Sequence, residues 1–225
     1  MSYKFVEYAD REMLALDLAN LIAGELRTAL SQSDSATLAV PGGTSPGPVF
    51  DDLCAVDLDW DRVNVMLTDE RWVPEDSDRS NTRLLRERLL TDKAAAANLL
   101  PLYAPYDTPE EGLGELAKGI EAQLPLSVVL LGMGADMHTA SIFPEADKLD
   151  EALAPNAPVL LPMRAPGAPE PRITLSAEAL DGAMSKHILI FGAEKRAALE
   201  NAKGKAPKDA PINAVLNGAT VHWAE

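Results

Sequence analysis

The sequence predicts an α/β protein built on a mostly parallel sheet with helices on both faces. Short apolar runs alternate along the chain with segments of helical periodicity, and several apolar runs end directly in polar or glycine-rich clusters. Strands that alternate with helices favour parallel pairing, and a parallel sheet has to be covered on both sides. Because no linker, low-complexity tract or repeat interrupts the pattern, we predict a single domain over residues 1–225.

The first predicted element is an amphipathic helix over residues 10–30. Its apolar side chains recur every three or four positions, with charged and polar residues between them, as expected for a helix with one buried face. Small polar residues at 31–35 then end the pattern. The apolar positions are Met13, Leu14, Leu16, Leu18, Leu21, Ile22, Leu26 and Leu30.

The rest of the chain divides into short buried strands and intervening helices. Residues 154–171 hold six prolines and are predicted to form an extended loop or an edge segment. Strands are expected at residues 36–40, 62–67, in the first half of 127–136, and at 172–176, 187–192 and 219–223. Helices are expected from Pro46 through Cys54, over residues 81–90, 109–124, 177–182 and 193–202, and after Pro211.

The composition excludes several classes of function. Asp and Glu number 35 against 20 Lys and Arg, so the formal net charge is -15 and the chain as a whole repels nucleic acid and anionic membranes. No run of about 20 apolar residues could span a membrane, and the charged N-terminal residues lack the apolar core of a secretory signal. We therefore predict a soluble, cytoplasmic protein without nucleic-acid or membrane partners, as a monomer or a small homo-oligomer.

Metal chemistry and disulfide bonding are not indicated either. The one cysteine, Cys54, cannot form an internal disulfide, and its apolar surroundings predict a buried, unreactive thiol. No Cys/His cluster has the spacing of a zinc site. The sequence therefore predicts no metal centre.

Polar clusters stand at four predicted strand ends, at residues 41–45, 68–71, 134–139 and 192–195. In open α/β sheets, ligands bind beyond the carboxyl ends of the strands. We therefore expect these clusters to contribute to one site.

The first cluster is Pro41-Gly42-Gly43-Thr44-Ser45. A glycine pair between a strand and a helix allows a sharp turn that aims backbone N–H groups at an anion, and Thr44 and Ser45 add hydroxyl donors. The spacing is neither a Walker loop nor GxGxxG, so a nucleotide is not indicated. The alternative is an ordinary turn in which Thr44 or Ser45 caps the next helix.

The second cluster places Asp69, Glu70 and Arg71 at the end of an apolar strand. Burying such charges without a function would be costly. The alternative is a solvated loop in which the charges pair with one another. The following segment, residues 79–83, could supply further hydrogen-bond donors.

The third cluster contains His138, one of three histidines in the chain, with Asp136 two residues before it. Histidine is the side chain best suited to take a proton near neutral pH. The alternative is a histidine that caps the next helix. The other two, His187 and His222, lie in predicted strands and are expected to be structural.

A pair of cations completes the candidate set. Arg172 opens one predicted strand, and Lys195 follows another, so each could reach an anion at the carboxyl edge of the sheet. Arg offers a bidentate fork and Lys a point charge. Sequence spacing alone does not bring the two together.

Taken together and in this order, the motifs resemble those of the 6-phosphogluconolactonase family. The matching segments extend from about Val40 to the C-terminus, and the stretch from Gly132 to Pro144 is the most specific. They are VPGGTSP, TDERWVPEDSDRSN, LLGMGADMHTASIFP, PRITLS and PINAVLNGATVHWAE.

The resemblance implies a three-layer α/β/α fold with a Rossmann-like core. It also implies hydrolysis of 6-phospho-D-glucono-1,5-lactone to 6-phosphogluconate in the pentose phosphate pathway, without a cofactor. By the same resemblance His138 is the general base, and Gly42, Gly43 and Thr44 form the phosphate loop. Arg172 and Lys195 are its cationic partners, and Asp69 and Arg71 are an acidic and basic pair whose roles stay open.

One position departs from the family pattern. The family usually has Asp-Gly-His where this chain has Asp136-Met137-His138. Glycine often marks a positive φ or a close backbone approach. If the backbone has positive φ here, Met137 is strained.

Two other functions stay open. The related glucosamine-6-phosphate deaminases carry an acidic residue five positions after the corresponding histidine, where this chain has Phe143. An aromatic ring cannot transfer a proton, so this position favours the lactonase. A sugar-phosphate sensor would need only the phosphate loop, but it would normally also have a DNA-binding segment, which the strongly acidic chain lacks.

Overall fold

The computed structural model describes residues 2–225, and its elements follow the predicted alternation of strands and helices. The strands are β1 Lys4–Glu7, β2 Ala36–Val40, β3 Val63–Leu67, β4 Asp69–Arg71, β5 Asn98–Leu99, β6 Val128–Gly132, β7 Leu160–Met163, β8 Arg172–Leu175, β9 Ser185–Phe191 and β10 Thr220–Ala224. The helices are α1 Arg11–Gln32, α2 Gly47–Leu53, α3 Asn81–Arg88, α4 Pro109–Glu121, α5 Leu149–Leu153, α6 Ala177–Asp181 and α7 Gly192–Ala202. Short 3₁₀ helices cover Trp60–Arg62, Asp92–Ala96 and Pro211–Ala214.

The main sheet has seven strands in the order β1-β10-β9-β6-β2-β3-β5, and all its pairings are parallel. Every residue of β2 is buried, and β6 is buried up to its last residue. A strand buried on both faces needs helices on both sides of the sheet. The predicted fold class, a mostly parallel sheet flanked by helices, is confirmed.

The long first helix shows how the sequence builds these layers. Asp10 begins α1 by accepting a hydrogen bond from the Met13 backbone N–H at 2.7 Å. Leu14, Leu18 and Ile22 are 0% exposed, which matches their spacing of one helical turn. This apolar face of α1 packs on β2, β6 and β10 and on helix α2.

The order of the strands creates a switch point between β2 and β6. From β2 the chain continues to β3 and β5 on one side, and from β6 it continues to β9 and β10 on the other. Ligand sites of open α/β sheets lie at such points, beyond the carboxyl ends of the strands. The loops that follow β2 and β6 are the glycine-rich cluster at 41–45 and the histidine cluster at 134–139.

A second, three-stranded antiparallel sheet with the order β4-β8-β7 was not predicted. The charged run at 68–71, expected to be a strand end, leaves the main sheet at Thr68 and pairs as β4 with β8. The predicted strand at 172–176 therefore belongs to this sheet and not to the parallel one. Strand β7, Leu160–Met163, lies within the proline-rich segment and forms one edge of this small sheet. This agrees with the edge segment predicted there.

Other predictions differ from the structure in detail. Helices α3 and α4 end at Arg88 and Glu121, a few residues earlier than expected, and the helix after Pro211 is one 3₁₀ turn. Strands β1 and β5 and helix α5 were not predicted, because each has five residues or fewer and little periodicity. Cys54 is buried as expected, and burial raises the pKa of its thiol. Among residues 2–225, no helix combines the length and hydrophobicity needed to cross a bilayer.

Candidate active site

A cleft of about 270 Å³ opens at the carboxyl edge of the main sheet and receives residues from all four polar clusters. Its wall consists of the loops after β2 and β6, the end of β9, the first turn of α7 and the start of α3, together with β4 and β8 of the small sheet. Of the predicted site residues, those that line it are Gly42, Gly43, Ser45, Asp69, Arg71, His138, Arg172 and Lys195. Thr44 is exposed and outside the lining, and Asp136 contributes only through its contact with His138.

The glycine-rich loop has a geometry that favours glycine at two positions. Gly43 has φ +82°, in the left-handed region. A Cβ on Gly42 would lie 2.1 Å from the Asn81 side chain, so this backbone packs directly on the start of α3. The N-cap of α2 is Pro46, and no side chain caps it, so the alternative of a turn capped by Thr44 or Ser45 is wrong.

The imidazole of His138 is held from one side. Its Nδ1 lies 2.5 Å from Asp136 Oδ1, and this contact holds the pKa of Asp136 below its usual value. An ionised carboxylate only accepts hydrogen bonds, so Nδ1 carries the proton and donates it. In the neutral ring, Nε2 is then the basic nitrogen, and it has no hydrogen bond to any of residues 2–225.

A tight turn places this pair. The Met137 N–H donates to the Gly134 carbonyl at 3.0 Å, and the Gly134 N–H donates to the His138 carbonyl at 2.9 Å. A Cβ on Gly134 would lie 2.0 Å from His138 Nδ1, so glycine is required behind the ring. Met137 has φ 68°, in the left-handed region, so the backbone strain expected for a non-glycine residue at this position is present.

A buried cluster joins Asp69 of the second polar cluster to Arg172 through Ser141. Asp69 Oδ2 accepts a hydrogen bond from Ser141 Oγ at 2.5 Å and lies 3.8 Å from Arg172 Nη1. Arg172 Nη1 also donates to Ser141 Oγ at 3.4 Å, and Thr68 Oγ1 donates to Asp69 Oδ1 at 3.1 Å. Burial lowers the pKa of the Arg172 guanidinium, and the attraction of Asp69 opposes this shift. Asp69 therefore balances the charge of Arg172 inside the protein.

Two arginines stand side by side at the cleft. Arg71 and Arg172 face each other across the β4–β8 pair, and Arg71 Nη1 donates to the Arg79 carbonyl at 2.7 Å. Within residues 2–225, neither Arg71 Nε nor Arg172 Nε has an acceptor, although both are buried. Adjacent like charges with unsatisfied donors are stabilised by a bound anion.

Glu70, the third charge of this motif, has a structural role. Its carboxylate is fully buried and accepts hydrogen bonds from the backbone of Asn81 at 2.9 Å and of Thr82 at 2.7 Å. Burial raises the pKa of Glu70, and these hydrogen bonds oppose the shift. The carboxylate thus anchors the start of α3, and the alternative of a solvated, self-paired loop is wrong.

Lys195 and its surroundings complete the cleft. It lies in the first turn of α7 and forms no ion pair with another of residues 2–225. Together with Arg71 and Arg172 it makes the cleft locally cationic in an acidic protein. No group of three or more His, Cys, Asp or Glu within the described chain is arranged to hold a metal ion.

Sequence reasoning assigned no contact in the site to two side chains that the structure places beside the predicted residues. Ser141 joins Asp69 to Arg172, and the Phe143 ring lies 4.4 Å from the His138 ring, centroid to centroid. Both lie in the segment that carries His138, but no spacing rule indicates which side of the turn they face. Asn81 was considered only as a general donor, and its packing on Gly42 was not foreseen.

This arrangement provides a basic nitrogen and a cluster of cations on one cleft. The chain matches over residues 9–223 the model of the family described as glucosamine-6-phosphate isomerases/6-phosphogluconolactonase. It is 41% identical over 233 residues to the 6-phosphogluconolactonase of Mesorhizobium japonicum, with 99% of this chain and 96% of the relative covered. It is 40% identical over 232 residues to the 6-phosphogluconolactonase of Rhizobium meliloti, with 100% of both chains covered.

A solved structure agrees with these relatives. The crystal structure of a 6-phosphogluconolactonase from Shewanella baltica superposes with a TM-score of 0.96 at 33% identity, and the match covers 100% of this chain and 98% of that one. The resemblance drawn from the motifs is thereby confirmed. The chain belongs to the family of glucosamine-6-phosphate isomerases and 6-phosphogluconolactonases.

Proposed function

We propose that this protein hydrolyses 6-phospho-D-glucono-1,5-lactone to 6-phospho-D-gluconate, the lactonase step of the pentose phosphate pathway. The observation that carries the proposal is that His138, with its free Nε2, and the cations Arg71, Arg172 and Lys195 line the same cleft. The names of the relatives support the same reaction.

The cationic side of the cleft binds the phosphate. Arg172 and Lys195 supply charge, the backbone of Gly42 and Gly43 supplies N–H groups, and Ser45 supplies a hydroxyl. Thr44 belongs to this loop but is exposed and lies outside the cleft lining. Holding the phosphate fixes the lactone ring in register with His138, so binding energy far from the reacting carbon positions it.

His138 acts as the general base. Nε2 removes a proton from water as the water oxygen attacks the lactone carbonyl, and Asp136 stabilises the imidazolium that forms. The carbonyl oxygen becomes an oxyanion, for which Arg71 and backbone N–H groups of the cleft are the available donors. Collapse of the tetrahedral species breaks the ring C–O bond, and the leaving alkoxide takes the proton from His138. Asp69 serves by positioning Arg172.

One position beside the cleft favours the lactonase over the deaminase. Proton transfer at the position five residues after His138 would need an acid, and Phe143 occupies it with its ring packed on the imidazole. The phosphate site alone would suit either substrate.

The experiment is a coupled assay with freshly made phosphogluconolactone, in which phosphogluconate formation is followed above the spontaneous background. We expect enzyme-dependent hydrolysis and no ammonia release from glucosamine 6-phosphate. Ammonia release would favour the deaminase. Tight binding of the lactone without turnover would favour a sensor.

A further inference from the structure

One side chain touches both halves of the site without lining the cleft. The Phe143 ring centroid lies 4.4 Å from that of His138, with an interplanar angle of 38°. The Arg172 Cζ lies 5.6 Å from the centroid of the same ring. Phe143 is half-buried and contacts both the base and the cation from outside the cleft lining.

The backbone around Phe143 fixes this placement. A turn brings the chain back toward His138, with the Ile142 N–H donating to the Thr139 carbonyl at 3.0 Å and Ala140 at φ 49°. The Ser141 N–H donates to Thr174 Oγ1 at 3.2 Å, which ties the turn to strand β8. The turn that precedes Phe143 is thus attached to the same strand that carries Arg172.

The other contacts of His138 and Arg172 do not fully fix the orientation of either side chain. Asp136 fixes Nδ1 of His138 but does not fix the plane of an imidazole whose side chain is 30% exposed. Arg172 is held at Nη1, whereas its Nε has no acceptor among residues 2–225. Tilted aromatic pairs and guanidinium–ring contacts within about 6 Å are both attractive, so one ring can orient both groups.

We infer that Phe143 is a positioning residue that couples the phosphate-binding cation to the general base. Its ring sets the imidazole plane relative to Arg172, so that a substrate held by its phosphate presents the carbonyl to Nε2. The inference rests on the proposed lactonase function. A residue that merely stabilised the fold would affect all substrates equally, whereas a coupling residue affects substrates that carry the phosphate.

The test replaces Phe143 by Leu, which keeps an apolar side chain but has no ring face. Wild type and variant are compared on phosphogluconolactone and on unphosphorylated glucono-1,5-lactone. We expect kcat for the phosphorylated substrate to fall about tenfold, with a much smaller loss for the unphosphorylated one. Phe143→Tyr, which keeps the ring, should restore most of kcat.

A second comparison isolates the coupling. In a double-mutant cycle, Phe143→Leu should have little further effect on phosphogluconolactone when Arg172 is already Ala. Phe5 offers a matched control, because its ring lies 6.4 Å from that of Trp223 and 5.3 Å from Arg196 Cζ, away from the cleft. Phe5→Leu should leave the ratio of the two activities unchanged.

Several outcomes would overturn the inference. Phe143 would contribute only to packing if Phe143→Leu lowered activity equally on both lactones, or if its effect were fully additive with that of Arg172→Ala. The same conclusion would follow if Phe143→Tyr had as low a kcat as Phe143→Leu. If Phe143→Leu does not fold, as judged by thermal melting, the Tyr variant and a Phe143→Met variant carry the same comparison. Failure of the lactonase proposal itself gives a different result, because wild type would then not exceed the spontaneous background.

Discussion

Histidine occupies two contrasting settings in this protein. His138 stands at the carboxyl edge of the main sheet, in the cleft, with Nδ1 bound to Asp136 and Nε2 free of hydrogen bonds to residues 2–225. His187 and His222 lie inside neighbouring strands, β9 and β10, and are 3% and 1% exposed. The same side chain is available to a ligand in the first setting and closed to it in the second.

The buried pair belongs to a chain of four hydrogen-bonded groups. Tyr8 Oη lies 2.9 Å from His222 Nδ1, His222 Nε2 lies 3.0 Å from His187 Nδ1, and His187 Nε2 lies 2.7 Å from Glu25 Oε2. With both rings neutral and Glu25 ionised, Tyr8 donates to His222, His222 to His187, and His187 to Glu25. Every ring nitrogen is occupied, and burial lowers the pKa of His222 to about 3.

The difference shows what makes a histidine functional in this fold. All ring nitrogens of the buried pair have hydrogen-bond partners within the protein, as expected for buried polar groups. These bonds connect α1, β9 and β10. His138 has one partner and leaves one nitrogen facing a cationic cleft. Substitutions in the cleft are therefore expected to change turnover, whereas substitutions in the buried pair are expected to change stability.

The largest effect is expected at the base. His138→Ala should lower kcat by roughly 10²–10⁴-fold, the usual contribution of a general base, with little change in affinity for the phosphorylated ligand. The coupled assay measures it, with His222→Gln as the matched histidine control, which should keep wild-type kcat at neutral pH. Near wild-type turnover of His138→Ala would remove His138 from the mechanism.

The next effect concerns the anchor. Arg172→Ala removes a charged hydrogen-bonding group worth about 1.5–3 kcal/mol, so kcat/KM for phosphogluconolactone should fall roughly 10- to 150-fold. The unphosphorylated lactone should be nearly unaffected. Arg196→Ala is the control, because Arg196 lies over the Phe5 and Trp223 rings outside the cleft.

An equal loss on both lactones would refute the anchor, provided that thermal melting shows the Arg172→Ala protein to be folded. This proviso is needed because Asp69, its buried partner at 3.8 Å, loses its counter-charge in the variant.

The buried pair predicts a pH effect on stability without an effect on the chemistry. Unfolded His222 takes up a proton near its ordinary pKa of 6.5, whereas in the folded protein it does so only near 3. Stability from the neutral ring is therefore full above pH 6.5 and declines as the pH falls toward 3. Between pH 7.5 and 5 this costs the wild type about 2 kcal/mol of unfolding free energy.

The His222→Gln variant should lose that part of the pH dependence, as measured by chemical denaturation at the two pH values. The charged and titratable groups that face His222 are His187, Tyr8 and Lys4, with Glu25 beyond His187, and they stay unchanged in the comparison. Identical pH dependence in wild type and variant would mean that His222 is not the responsible group.

The smallest effect is expected at Met137. Met137→Gly relieves a left-handed conformation but loses an apolar contact and gains backbone entropy in the unfolded state, so the unfolding free energy should change by less than about 1 kcal/mol. The turn is closed by backbone hydrogen bonds, so kcat should stay at the wild-type value. A large change of kcat would show that the Met137 side chain shapes the site.

Much of this could be predicted from the sequence because the signals are local. The spacing of Leu14, Leu18 and Ile22 predicts helix α1. The histidine and glycine clusters come directly after strands β6 and β2 in the chain. Parallel pairing then brings the clusters to one edge of the sheet. The position of the cleft thus follows from strand order and composition.

The parts that were not predicted depend on long-range pairing. Strand β4 has three residues and no periodicity, and only its antiparallel pairing with β8, about a hundred residues later, places Arg71 beside Arg172. The contact of Ser141 with Asp69 and that of Phe143 with His138 depend on the direction of a tight turn. Spacing along the chain carries no information about either.

The most direct test of the account is a crystal structure with bound 6-phosphogluconate, the product of the proposed reaction. We expect its phosphate oxygens to contact Arg172 and Lys195, and its carboxylate to lie within hydrogen-bond distance of His138 Nε2. A phosphate bound outside the cleft, or a carboxylate on the side away from His138, would contradict the assignment of base and anchor to one substrate.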